Sequence, residues 1–285
     1  MSALFVEQLT TIDFSYLCPE RGLTGETWLV DVVLTGELND EGMVFDFGHV
    51  KKEIKTMIDS YADHALLVPL DHPAVTIKDE KEYRTAELSL KSGGFITCQA
   101  PLPAILPLPV DGITPEAIRP LLEKHILKGL PDNVQSVEMH LYPEDIQGAY
   151  FHYSHGLKKH QGDCQRIAHG HRSQIKIYSH DKRSTELESQ VSGQWQDIYL
   201  ATREDIIGSE EINGIKHLSF GYQAIQGRFE LQIPAKRCYL MDTDTTIELI
   251  AAHLAQSIAD DQQSGSVKVI VNEGFHKGAI GIASA

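Results

Sequence analysis

The densest group of metal-binding and nucleophilic side chains lies in one short segment, FHYSHGLKKHQGDCQRIAHGH, residues 151–171. His169 and His171 are two positions apart, and such residues share one face of a strand. His155 lies on the preceding predicted strand and can face them. Three neutral imidazoles around one point form a zinc site with an open fourth position, the arrangement that catalytic zinc uses. The spacing therefore predicts a metal site at His155, His169 and His171, rather than a polar network of surface histidines.

Cys164 lies between these ligands in the sequence. It could be a fourth zinc ligand, an inert buried thiol or a catalytic thiolate, since a nearby cation favours the thiolate form. The residue types alone leave the three roles open. Lys158, Lys159 and His160 form a basic patch beside the predicted metal site, which could attract a triphosphate or be an ordinary solvated loop.

The elements that must position these residues follow from periodicity. Val50, Ile54, Met57, Ile58 and Tyr61 lie on one face of a predicted helix. A second helix should begin after Thr114 with Pro115 at its first position, and Pro120 should kink or confine it. Thr245 as N-cap and Glu248 at the third position predict a capping box for a further helix. Strands are predicted at 27–38, 136–143, 148–156, 171–179, 266–274 and 278–284, with hairpins at Gly93-Gly94 and Gly227.

An internal repeat relates the two halves of the chain. The segment from Ser136 aligns without gaps with the segment from Ser266, through Gly148-Ala149 and Gly278-Ala279. The predicted unit, strand–strand–helix–helix–strand–strand, occurs twice. We interpret this as a tandem duplication with modules at 1–147 and 148–285; the alternative is chance similarity of two hairpins.

Composition limits the class of protein. The 285 residues carry 25 Lys and Arg against 40 Asp and Glu, a net charge of −15, which disfavours nucleic-acid binding. No apolar run is long enough for a transmembrane helix, and the first residues do not resemble a secretion signal. The four separated cysteines are expected to be free thiols, and the expected compartment is the cytoplasm.

Several segments resemble the 6-pyruvoyl- and 6-carboxytetrahydropterin synthases. The FHYSH, Cys and HGH series is similar to that family's metal-binding strands, and GMVFDFGHVKKEIKTMIDSYADHALL (42–67) is similar to its helix ending in an Asp-His pair. TTIELIAAHLA resembles a helix start of the family, and VNEG resembles the strand that carries its pterin-anchoring glutamate. The resemblance covers most of the chain, but its motifs are divided between the halves.

The resemblance implies specific roles. His155, His169 and His171 would bind Zn²⁺, Cys164 would be the catalytic thiolate, and Asp63-His64 would form an acid/base pair. Asp71-His72 is a second candidate for that pair, and a capping role is the alternative for either. Glu273 and Thr246 would hold the pterin, although Glu273 could be solvated and Thr246 could only cap its helix.

The two halves would then complement each other. The first half has Thr24-Gly25-Glu26 where the HGH motif would fall and Pro143 in place of the anchoring glutamate, yet it keeps Asp63-His64. The second half keeps the histidines, Cys164 and Glu273. Because sites of this family form between subunits, one repeat could donate its Asp-His pair to the metal of the other.

The implied fold is α+β, with tandem tunnelling-fold (T-fold) modules whose antiparallel sheets carry helices on one face and close a barrel in a homo-oligomer. The implied function is a zinc-dependent lyase that converts 7,8-dihydroneopterin triphosphate to 6-carboxy- or 6-pyruvoyl-tetrahydropterin, the carboxy product being favoured, as on the route to deazapurines such as queuosine. No nucleic-acid or membrane partner is expected. The alternatives are a non-catalytic pterin- or metal-binding module and a T-fold nitrile reductase of the same pathway.

Overall fold

A computed structural model describes residues 1–263 and 265–284. The first half contains β1 (Ser2–Cys18), β2 (Gly22–Gly36), α1 (Phe47–Tyr61), β3 (Leu66–Pro69), β4 (Val75–Glu80), β5 (Tyr83–Ser89), β6 (Phe95–Pro101), β7 (Ile105–Leu108), α2 (Pro115–Leu127) and β8 (Val134–Pro143). The second half contains β9 (Tyr150–His155), β10 (His169–Ser179), β11 (Lys182–Arg183), α3 (Thr185–Gln194), β12 (Ile198–Thr202), β13 (Ile206–Ile212), β14 (Ile215–Ala224), β15 (Gly227–Pro234), β16 (Cys238–Met241), α4 (Ile247–Gln262), β17 (Ser266–Asn272) and β18 (Gly278–Ser284). The architecture is α+β, as predicted.

The strands form three sheets. The first half builds a sheet in the order β7-β3-β1-β2-β8, and the second half builds β16-β12-β9-β10-β17-β18, with β11 beside β10. The third sheet, β13-β14-β15-β6-β5-β4, joins strands from both halves through β15 and β6. Strands β4–β6, from the segment at 74–110, and strands β13–β15, from the segment at 180–240, therefore form one common sheet that ties the halves together.

Each pair of helices packs on one face of its sheet. Helix α1 buries Val50, Ile54 and Ile58, which confirms the predicted period. Helix α2 begins after the Thr114 cap and continues through Pro120 to Leu127, so that proline does not end it. Helices α3 and α4 cover the second sheet in the same way. Within the described residues, no helix is both long and apolar enough to cross a bilayer.

Two predicted details are wrong. The alignment of the halves fails beyond residue 143, because Gly148-Ala149 lead into β9, the first strand of the second sheet, whereas Gly278-Ala279 lead into β18, its last strand. Among the described residues, the sheet of the first half contains no strand that corresponds to β18. The cap of α4 is Thr246, not Thr245; its hydroxyl accepts from the Leu249 N–H at 3.5 Å.

The halves meet where β1 and β2 of one sheet approach β9 and β10 of the other. Ser15 lies opposite Gly25, and Ser154 lies opposite Gly170, so the two pairs are structural equivalents. The Ser15 and Ser154 hydroxyls hydrogen-bond at 2.7 Å. A Cβ atom on Gly25 would overlap the Tyr153 carbonyl oxygen, so glycine is required for this close backbone approach. All four cysteines have free thiols, as predicted.

Candidate metal centre

The three predicted histidine ligands converge at one end of the β9–β10 pair. His155 lies directly opposite His169, and His171 lies two residues further along the same face. All three side chains are buried, and one ring nitrogen of each lies within 4.8 Å of those of the others. The local sequence achieves this because a two-residue period keeps side chains on one face of a strand.

The second ring nitrogen of His155 and that of His169 each has a hydrogen-bond partner, and that of His171 lies within ion-pair distance of a carboxylate without forming a hydrogen bond. Nδ1 of His155 donates to the Thr245 carbonyl at 2.9 Å, and Nδ1 of His169 donates to the Arg166 carbonyl at 2.9 Å. Nδ1 of His171 lies 3.3 Å from Oδ1 of Asp13. Partners of this kind fix the tautomer so that Nε2 faces a metal.

The Nε2 atoms of these histidines have the surroundings expected of metal ligands. Nε2 of His155 and of His171 are buried without a hydrogen-bond partner among the described residues, and an unsatisfied buried polar atom costs free energy. Burial also holds the pKa values of His155 and His169 well below the usual range, so both rings stay neutral. Buried ring nitrogens without a partner, together with the neutral rings of His155 and His169, fit a bound metal ion.

The first half contributes Asp63 and His64 to the same place. His64 follows the end of α1 in a left-handed conformation (φ 54°), and its N–H donates to the Asp13 carbonyl at 2.7 Å. Asp63 Oδ1 accepts from the Asp13 N–H at 2.8 Å, and Asp63 Oδ2 bonds Nδ1 of His64 at 2.7 Å. The rings of His64 and His169 are 5.0 Å apart. Sparsely populated backbone conformations persist where surrounding contacts hold them, and they cluster at functional sites.

His64, Cys164 and His169 form a second group whose ligand atoms all lie within 4.8 Å. Burial alone would lower the pKa of His64, but hydrogen bonds with Asp63 and Cys164 outweigh it and raise that pKa to about 10. The raised pKa favours the imidazolium form of His64, which lies beside the Cys164 sulfur. Asp71-His72 lies elsewhere, in the turn after β3, where Nδ1 of His72 accepts from the Ala74 N–H.

Sequence reasoning missed Asp13, which connects the two halves at the site. Its buried carboxylate accepts from Thr27 Oγ1 at 2.6 Å and from Lys277 Nζ at 2.9 Å, and it lies beside His171. Although burial opposes ionisation, these partners hold the pKa of Asp13 well below its usual range. Its signal in the sequence was a carboxylate between the apolar residues Ile12 and Phe14 of β1.

The other predicted site residues have more ordinary surroundings. Glu273 follows β17 and is half-buried; its N–H donates to the Lys277 carbonyl. Thr246 caps α4. Lys158 is paired with Glu204 and Asp205, and Lys159 with Asp244, so both charges of the basic patch are compensated.

The equivalent place in the first half has different chemistry. The strand registers put Tyr16, Thr24 and Glu26 where the second half has His155, His169 and His171. Arg21 fills this region: it donates to the Tyr16 hydroxyl at 2.9 Å and forms a two-point pair with Asp197 at 3.0 and 2.6 Å. Asp197, like His64, follows a helix end with positive φ. A guanidinium thus supplies the positive charge here, and the described residues offer no three-ligand group at this place.

The comparison with protein families agrees with this geometry. The sequence model of the family "6-pyruvoyl tetrahydropterin synthase" matches residues 15–98 and 146–279, more than half of the chain. The chain therefore belongs to the 6-pyruvoyl tetrahydropterin synthase family, and its fold is a tandem pair of T-fold modules. The split match corresponds to the two halves. Membership places the chain among tetrahydropterin synthase-like enzymes that act on pterin-type molecules.

Individual relatives are distant. A Pyrococcus abyssi protein, provisionally assigned as a 6-carboxy-5,6,7,8-tetrahydropterin synthase, is 23% identical over 133 residues, 47% of this chain and 76% of its own length. A Pyrococcus horikoshii protein with the same provisional assignment is 37% identical over 57 residues, 20% of this chain and 33% of its own length. The crystal structure of the Plasmodium vivax 6-pyruvoyl tetrahydropterin synthase is similar over 51% of this chain and 93% of that chain, with 16% identity and a TM-score of 0.41.

Proposed function

We propose that the protein is a zinc-dependent lyase that converts 7,8-dihydroneopterin triphosphate to a 6-substituted tetrahydropterin. The observation that carries this proposal is the convergence of His64, from the first half, with Cys164 and the three buried histidines of the second half. A metal-binding module without catalysis would need the histidines but not this acid and thiol beside them.

Zn²⁺ held by His155, His169 and His171 would act as a Lewis acid that acidifies C–H bonds next to the bound oxygens of the substrate. Cys164, as thiolate, removes a proton from the side-chain carbon, and triphosphate is eliminated as the leaving group. His64, kept protonated by Asp63, supplies a proton as the acid partner, since its pKa is raised to about 10 even though burial opposes the charge. The ligand atoms of both groups lie within 4.8 Å of each other and of His169, so one substrate side chain at the metal would contact both.

The pterin ring would be held by Glu273, whose carboxylate accepts two hydrogen bonds from the guanidine-like edge of the ring. Thr246 would contribute from the start of α4, in addition to capping it. The paired lysines at 158 and 159 have carboxylate partners, so triphosphate binding there would require displacement of those carboxylates.

The first experiment is metal analysis of purified wild type and of the His169→Ala/His171→Ala variant. We expect about one zinc per chain in wild type and loss of zinc in the variant, while His140→Ala, which changes an exposed histidine, keeps the metal. Two zincs per chain would contradict the assignment of a single site, and no zinc in wild type would refute the mechanism.

The second experiment is turnover of 7,8-dihydroneopterin triphosphate with product analysis. We expect release of acetaldehyde and the 6-carboxy product, in agreement with the provisional assignment of the Pyrococcus proteins. A pyruvoyl product without acetaldehyde would show that the protein forms 6-pyruvoyl-tetrahydropterin instead. Cys164→Ala should keep zinc and lose turnover. Wild-type-like behaviour of that variant would favour a non-catalytic module, and nitrile reduction by a zinc-free protein would favour the reductase.

The sheet edges support the predicted homo-oligomer. In the described residues β8 pairs only with β2 and β18 pairs only with β17, so both strands present open edges. Ile280 and Ile282 on β18 are 61% and 72% exposed. Open edges with exposed apolar side chains favour association with another copy. Light scattering should show an oligomer, and Ile280→Lys/Ile282→Lys should reduce its size; a monomeric wild type would refute this.

A further inference from the structure

Tyr153 completes a square of side chains with the three histidines. On the paired strands β9 and β10, His155 faces His169, and Tyr153 faces His171. The Tyr153 ring lies 5.0 Å from the ring of His155 and 5.4 Å from that of His171, measured between centroids. The phenol is therefore a direct neighbour of two candidate metal ligands, on the same face of the sheet.

The hydroxyl of Tyr153 has no partner within the part of the chain that the structure describes. The side chain is fully buried, and the oxygen has no hydrogen bond to any of the described residues. Leaving such a group unsatisfied costs about 1–3 kcal/mol, so phenylalanine would suit the folded chain better if the residue served packing alone. A partner that is not part of the chain would remove this cost.

The internal repeat separates the role of the ring from the role of the hydroxyl. Phe14 occupies the equivalent position in the first half, because it lies opposite Glu26 just as Tyr153 lies opposite His171. Phe14 is also fully buried, in the core of its own module. The aromatic ring is thus common to both halves, whereas the hydroxyl occurs only in the half that has the three histidines.

We propose that the Tyr153 hydroxyl donates a hydrogen bond to an oxygen of the substrate side chain, and so selects pterins with an oxygenated substituent at carbon 6. This inference rests on the proposed function, which puts that side chain at the metal and the ring at Glu273. The phenol ring borders His155 and His171, two of the residues that would hold the metal beside that side chain. Tyr153 is then a specificity-determining residue of the site.

The test measures equilibrium binding of two unreactive probes to zinc-loaded protein by calorimetry. Biopterin carries a dihydroxypropyl side chain, and unsubstituted pterin carries none. We expect Tyr153→Phe to weaken biopterin binding about tenfold and to leave pterin binding and zinc content unchanged. The variant should melt at or above the wild-type temperature, because Phe14 shows that the ring alone suits this position.

Tyr150→Phe is the matched control, since Tyr150 lies on the same strand, three residues away and partly exposed. It should bind both probes as wild type does. Equal biopterin affinity in wild type and Tyr153→Phe would refute the inference, as would an equal loss for both probes. If wild type binds pterin and the Tyr153→Phe substitution does not weaken biopterin binding, the inference alone fails. If wild type binds neither probe, the proposed function fails with it.

Discussion

The burial of Glu26 leads to a prediction about how stability depends on pH. In the first half this carboxyl group occupies the position that His171 has in the second half. The side chain is only 11% exposed. Burial raises its pKa to about 7, against the opposing effects of the Thr27 N–H hydrogen bond and of Arg172 and Arg21. Glu26 is therefore a carboxylic acid in the folded protein under mildly acidic conditions.

The sign of the pH dependence follows from proton binding. The unfolded chain releases this proton near pH 4.5, and the folded chain releases it near pH 7, so the folded state binds more protons between these values. The contribution of Glu26 to stability is complete below pH 4.5 and is lost as pH rises through 7. The difference between pKa values of 4.5 and about 7 corresponds to about 3 kcal/mol. Glutamine cannot ionise, so Glu26→Gln escapes this loss.

The assay is urea unfolding of wild type and Glu26→Gln at half-unit steps from pH 4.5 to 8, with zinc held constant. The free energy of unfolding of the variant minus that of wild type should increase by about 3 kcal/mol across this range, most steeply below pH 7. Glu138→Gln, an exposed change on β8, controls for loss of one negative charge. A difference that stays constant, or falls with rising pH, would refute the assignment of a neutral buried Glu26.

Three further predictions concern the contacts between the halves. Asp13→Asn should lower zinc affinity about 10- to 100-fold in competition with a chelator, because His171 loses its charged partner; unchanged affinity would contradict that role. Arg21→Leu should cost about 2 kcal/mol in urea unfolding by leaving Asp197 unpaired, with no change in zinc content, since its pair lies at the other site. Gly25→Ala should prevent normal packing of the halves, seen as a melting temperature at least 10 °C lower, roughly the effect of several kcal/mol, whereas Gly193→Ala, with open space around it, should be neutral or stabilising.

The sequence by itself determined the features that depend on neighbouring residues. Alternation on β9 and β10 placed the histidines on one face, and the 3.6-residue period of α1 set the helix that is followed directly by Asp63-His64. These predictions succeed because backbone geometry fixes which side chains within one element, or within one hairpin, share a face.

Only the tertiary structure decided how the halves share the site. The contacts of Asp13 with His171 and of His64 with the histidine cluster join residues more than ninety positions apart, and they depend on the close backbone approach at Gly25. It also decided that Thr245 turns its carbonyl to His155 while Thr246 caps α4, and that the two inserted segments pair through β6 and β15. No local pattern encodes these arrangements, because each is fixed by the packing of one module against the other.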